Sequence, residues 1–134
     1  MHLNYDCLRN VLLALEKLLE IQTGDSYEFC MISIQELMND PGVARYPEED
    51  VFYCVHNLEQ AGFVKTCRVE SGIYVHDLVV FDITYAGHMF LRNISSETVW
   101  TMVKKKFGPA ISASLPVVQQ LAGQIILNQL SQSS

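Results

Sequence analysis

Between residues 6 and 20, Cys7, Val11, Ala14, Leu15, Leu18 and Leu19 recur at helical spacing, while Arg9, Glu16, Lys17 and Glu20 fall elsewhere. The pattern predicts an amphipathic helix opened by an Asp6 cap and stopped before Thr23-Gly24-Asp25. Residues 27–32 (YEFCMI) form a short aromatic and apolar run that reads as a brief strand. Ser33 and Glu36 then have capping-box spacing, which predicts a short helix to about residue 39. Asp40-Pro41-Gly42 reads as the turn that ends it. Pro47 fits a helix's first position, where its missing N–H costs nothing, and Glu48, Glu49 and Asp50 complement the positive end of the dipole. This helix is expected to run to Gln60 and stop at Ala61-Gly62, burying Val51, Val55, Leu58 and either Ala61 or Phe52.

Two strand-like runs follow on either side of Ser71-Gly72, the signature of a β-hairpin. Thr84 can cap a helix carrying Met89, Phe90 and Leu91, with a break at Asn93-Ile94-Ser95. Ser96 opens another, in which Val99, Trp100 and Val103 repeat with helical period and Trp100 reads as a core anchor. Gly108-Pro109 should terminate it, and Ser114-Leu115-Pro116 should start a last helix reaching about residue 130.

Helix, short strand, helix, helix, hairpin is the element order of a winged helix-turn-helix. The expected fold class is therefore α+β: a winged helix-turn-helix domain over residues 1–94, with C-terminal helices over 95–134 packing on it or forming a dimer contact. Several runs together resemble a known family. They are Leu3-Asn4-Tyr5-Asp6-Cys7-Leu8-Arg9, Val51-Phe52-Tyr53 with Leu58 and Ala61-Gly62-Phe63-Val64, then Thr84, Gly87-His88 and Phe90-Leu91, then Thr98-Val99-Trp100. In that order they are similar to small winged-helix-like proteins of unknown function carried by phages, prophages and bacterial genomes. The resemblance spans nearly the whole chain and implies a fold and a phage setting, but no activity. The family usually places His directly after the Phe-Tyr pair. This chain has Cys54 there and His56 two residues later, which argues against His-dependent chemistry at that position.

Charge changes the functional reading. The chain has 134 residues, 49% hydrophobic and 18% charged, with a formal net charge of −6. Such a composition suits one buried core and excludes a disordered chain. Residues 1–64 hold three basic and eleven acidic residues, net −8, and residues 65–134 hold six and four, net +2. The helix expected to read DNA carries Glu48, Glu49, Asp50 and Glu59 and no Lys or Arg. Acids facing phosphates oppose binding. Only Tyr53, His56, Asn57 and Gln60 would usefully meet bases, while Lys65 and Arg68 on the wing could meet phosphates. An acidic face instead suits docking on a basic protein surface, such as that of a nucleic-acid-handling host or defence protein. The plainer reading of the same acids is local stabilisation of a helix N-terminus. A protein-binding modulator leads, with Glu48, Glu49, Asp50, Tyr53, His56, Asn57 and Gln60 as its contacts. A DNA-binding regulator using Lys65, Arg68 and the same helix is the alternative.

Little else suggests chemistry. Cys7, Cys30, Cys54 and Cys67 form no Cys-x-x-Cys pair, and His2, His56, His76 and His88 lack metal-ligand spacing. No P-loop, nucleophile elbow or dinucleotide glycine pattern occurs. No catalytic residue, metal, cofactor or small-molecule ligand is expected. Gly87 reads as a close-packing position and His88 as structural. The N-terminus lacks a signal-peptide design, so the cysteines are expected to be reduced core thiols in a cytoplasmic protein. The last helix bears Leu115, Val118, Leu121, Ala122, Ile125, Ile126 and Leu130 on an apolar stripe, with uncharged polar residues elsewhere. That stripe is covered either within the chain or by a second copy in a homodimer. It is too polar to span a membrane, and too poor in basic residues to suit a membrane surface.

Overall fold

The structure is a computed structural model that describes residues 3–19, 21–23, 27–107 and 115–132. Helix α1 (Tyr5–Leu18) begins earlier than expected, because the cap is Asn4, two residues before Asp6: its side chain accepts from the Cys7 N–H. Asp6 therefore lies inside the first turn, with its carboxylate available for a distant partner. Leu8 and Leu12 join Cys7, Val11, Ala14 and Leu15 in the core, whereas Leu18 is exposed at the helix end.

The expected strand over residues 27–32 is divided. Residues Ile21–Thr23 (β1) pair antiparallel with Tyr27–Phe29 (β2). Ile32 bridges separately to Val80, with backbone bonds of 2.8 Å in both directions. Ser33 caps α2 (Ile34–Leu37) through the Glu36 N–H, as its spacing predicts. Asp40-Pro41-Gly42 does more than end that helix. Asp40 accepts from the Gly42 N–H and opens a further short helix, α3 (Pro41–Ala44), with Pro at its start. Pro47 is the N-cap of α4 (Glu48–Gln60), one position before its expected place.

Helix α4 closes in a Schellman motif. Phe63 N–H bonds to Leu58 O and Gly62 N–H to Glu59 O, both at 2.9 Å, and Gly62 supplies the required positive φ of 79°. Val51, Cys54, Val55 and Leu58 are buried; Phe52 and Ala61 pack at the core margin. Strands β3 (Val64–Ser71) and β4 (Tyr74–Ile83) form the expected antiparallel hairpin, turned at Gly72 with φ 62°. Thr84 caps α5 (Tyr85–Ile94). The Ser96 hydroxyl accepts from Val99 N–H at the start of α6 (Glu97–Phe107). The last helix, α7, covers Leu115–Gln132. The expected stop at Gly108-Pro109 and the Ser114 start lie outside the described residues.

The fold class is α+β, mostly helical, with two separate two-stranded ribbons among the described residues. One core cluster runs from α1 through α4 and the hairpin to α5, α6 and α7. At its centre Phe63 stacks on Phe90 with ring centroids 4.8 Å apart. Gly87 makes this approach possible, since a Cβ there would run into the Phe63 carbonyl oxygen. Trp100 is buried, as its spacing among Val99 and Val103 predicts.

Candidate functional site

The residues expected to meet a partner are set by the rotation of α4. With Val51, Cys54, Val55 and Leu58 turned into the core and Phe52 at its margin, the remaining positions form the outer face. Glu48, Glu49 and Gln60 are exposed, and Asp50, Tyr53, His56 and Asn57 are half-buried. Tyr53 and His56 lie three apart, with rings stacked at 6.4 Å between centroids and 29° between planes. Asn57 turns its amide back on the helix, donating to Tyr53 O at 2.8 Å. The outward face thus runs from a carboxylate-rich first turn to an aromatic and amide middle.

Neighbouring elements fix the acids. Gln35 of α2 donates to Glu48 Oε1 at 2.7 Å, tying the start of α4 to α2. Glu36, exposed on α2, adds a carboxylate to this end of the molecule. Helix α4 itself holds no cation. In the turn before it, Arg45 lies over the Tyr46 ring, 5.9 Å from its centroid.

The two wing cations differ. Lys65 is exposed on β3. Arg68 is already engaged: its Nη2 donates to Glu59 Oε2 at 2.7 Å, across from β3 to α4. A guanidinium held by a carboxylate presents less net charge to a phosphate. Sequence reasoning treated Glu59 only as one of the α4 acids; its partner is set by the way the hairpin folds back on the helix.

Cys54, on the opposite face of α4, is buried beside Cys7 of α1. Its thiol is pushed up by a hydrogen bond with Cys7, by burial and by the charges of Cys7 and Asp50, so it stays protonated. Cys7 and Cys54 are buried and Cys30 is half-buried, whereas Cys67 is exposed rather than a core hydrophobe. Among the described residues no group of three His, Cys, Asp or Glu side chains could hold a metal ion.

Sequence reasoning missed a polar junction between the ends of the chain. Asp6 Oδ1 accepts from Trp100 Nε1 at 2.8 Å and from Lys104 Nζ at 3.1 Å. Burial alone would raise the Asp6 carboxyl, but those two hydrogen bonds and the charges of Lys104 and Arg9 hold it below the usual carboxylate range. Arg9, buried on α1, donates through Nε to Ile94 O at 2.8 Å and through Nη2 to Ser95 O at 2.9 Å. It thereby caps α5 from another helix.

Most of the stripe on α7 is occupied within the chain. Leu115, Val118, Ala122 and Ile125 are buried, and Leu121 and Ile126 are partly buried, against α5 and α6. The four buried side chains would be available to a second copy only if α7 lifted away, whereas Leu130 of the same stripe is exposed. Among the described residues no helix is long and apolar enough to cross a membrane.

These features define an α+β protein with an acidic, aromatic-centred helix face at one end of a mainly helical core. The chain belongs to the family described as hypothetical protein (DUF2513), whose profile matches residues 2–110. It is also similar to an uncharacterized protein of Haemophilus influenzae (strain Rd). The two are 27% identical over 129 residues, covering 96% of this chain and 98% of the relative. No solved structure matches it.

Proposed function

We propose that this is a winged helix-turn-helix protein of phage or prophage type, acting in the bacterial cytoplasm without catalysis, whose α4 face docks on a basic protein surface. In this reading α2 supports α4, α4 stands in the recognition position and β3–β4 is the wing. The observation that carries it is the charge arrangement: Glu48 and Glu49 are exposed with Asp50 half-buried beside them, while Arg68, which a DNA reader would use, is already bonded to Glu59 at 2.7 Å. A basic surface belonging to a nucleic-acid-handling host or defence protein is complementary to such a face, and complementarity speeds encounter and selects the partner. Tyr53, His56, Asn57 and Gln60 supply the uncharged contacts.

The test compares capture of host proteins by the wild-type chain and by the triple variant Glu48→Lys, Glu49→Lys, Asp50→Lys. Wild type is expected to retain a basic protein whose binding weakens as salt rises, and the variant to lose it. Capture unaffected by the triple reversal overturns the mechanism. In parallel, low-salt gel shifts are run on the DNA upstream of the protein's own gene. Tight binding lost on Lys65→Ala with Arg68→Ala would establish the DNA-binding alternative instead.

A further inference from the structure

Strand β3 pairs with β4 on one side only; among the described residues no other backbone bonds to it. It is eight residues long and contains no proline or glycine. Residue after residue of it, from Cys67 to Ser71, is exposed. An open strand of this length is a template for another strand, and natural sheets usually blunt such an edge with proline, with charged side chains, with a short strand or with a bulge on the edge itself. This edge carries Lys65, Arg68 and Glu70, of which Arg68 and Glu70 are opposite in sign and close enough in sequence to pair between two copies. Here the pairing has two irregularities, and both place the additional residue on β4. Lys65 faces Asp82 while Thr66 faces Val80, and Val69 faces Asp77 while Glu70 faces Val75. Phe81 and His76 are the residues left over, so β3 itself stays regular.

We infer that β3 is a self-association edge: two copies of this chain pair antiparallel through β3, about a two-fold axis at Val69, to form a continuous four-stranded sheet. The charges choose the occupant and the register. A two-fold through Val69 sets Arg68 opposite Glu70 of the second copy and Glu70 opposite its Arg68, with the two valines facing each other on the other side of the sheet and Cys67 opposite Ser71. Opposite charges facing across strands favour the pairing, and like charges oppose it. Moving the axis to Arg68 sets two arginines face to face. Moving it to Cys67 leaves Arg68 against Thr66 and Glu70 against Val64, with no charge pair.

Val69, 50% exposed, would be covered at the centre. Arg68 is already prepared for its role. Its bond to Glu59 fixes the guanidinium on the α4 side of the sheet, the side on which Glu70 also lies, since alternate residues of a regular strand share a face. The guanidinium has donors enough for both carboxylates. This interface is independent of the α7 stripe, most of which the chain itself covers, and it goes beyond the docking proposed for α4.

Sedimentation of the full chain over a range of concentrations is expected to show a monomer–dimer equilibrium. Glu70→Arg should weaken it at least about tenfold. Adding Arg68→Glu together with Glu59→Gln, which removes the carboxylate that would otherwise face the new glutamate, should restore most of the loss, with circular dichroism confirming that each protein is folded. The register is read directly by Val69→Cys in a Cys67→Ser background. Mild oxidation should join this protein into covalent dimers, while Cys67→Ser alone stays unlinked. Three results would overturn the inference: a monomer at every concentration, a dimer indifferent to Glu70→Arg, or a dimer in which Val69→Cys does not crosslink.

Discussion

Gly87 sits where the start of α5 meets the end of α4, and the absence of its side chain is what lets the two backbones touch. A Cβ would meet the Phe63 carbonyl oxygen and the Ile83 side chain, and neither backbone can yield without moving a capped helix. Gly87→Ala is therefore expected to lower stability by about 1–3 kcal/mol, the usual range for overpacking, read as a lower urea midpoint at unchanged slope. The sequence shows the glycine one turn into a helix, where it is unfavourable for propensity alone. It does not show which backbone stands opposite. Arg9 is a similar case. Its neighbours suggest a surface position between Leu8 and Asn10, yet it is buried because two carbonyls at the end of α5, 85 and 86 positions away, need a donor.

Element boundaries follow caps that a local reading recognises. Ser33, Thr84 and Ser96 each stand where their spacing places them, and Gly62 and Gly72 end α4 and turn the hairpin through positive φ. The errors are also local: Asn4 outcompetes Asp6 as the α1 cap, and Asp40-Pro41 opens a helix because the residues that end one helix can cap the next. Strand β1 was invisible, since Ile21-Gln22-Thr23 is too short to show alternation and gains its state from pairing with β2. Thr84 has a second duty beyond its cap. Its hydroxyl accepts from Gly87 N–H and donates to Gly62 O at 2.6 Å, joining the beginning of α5 to the end of α4. Thr84→Ala is expected to cost about 1–2 kcal/mol, and Thr84→Ser, which keeps both bonds, much less. Thermal melts of the three proteins give the comparison.

Across the whole molecule, two aspartates fasten α1 to the rest of the chain. Asp6 joins it to α6 through Trp100 and Lys104. Lys17 joins it to the cap of α3, where its bond to Asp40 at 2.8 Å, with the Gly42 and Val43 N–H groups, outweighs burial and holds that carboxyl low. Both folded-state values lie below those of the unfolded chain. The stabilisation they supply is thus fully present above about pH 4 and is lost as pH falls through the folded values. Unfolding midpoints measured from pH 7 to pH 2 should drop in that acid window, and Asp6→Asn and Asp40→Asn should each flatten the drop. What the sequence by itself determined is whatever depends on neighbours a few residues away: the main helices, their caps, the hairpin, the core face of α4 and its unbroken acidic first turn. Only the tertiary structure decided the pairing of Glu59 with Arg68, of Asp6 with Trp100 across 94 positions, and of the α7 stripe with α5 and α6. A period of 3.6 says that a face will be buried, but the burying surface comes from chain brought near by packing the whole core. For the acidic helix the sequence states the charge, and the fold states that Arg68 of the wing is already bonded to it.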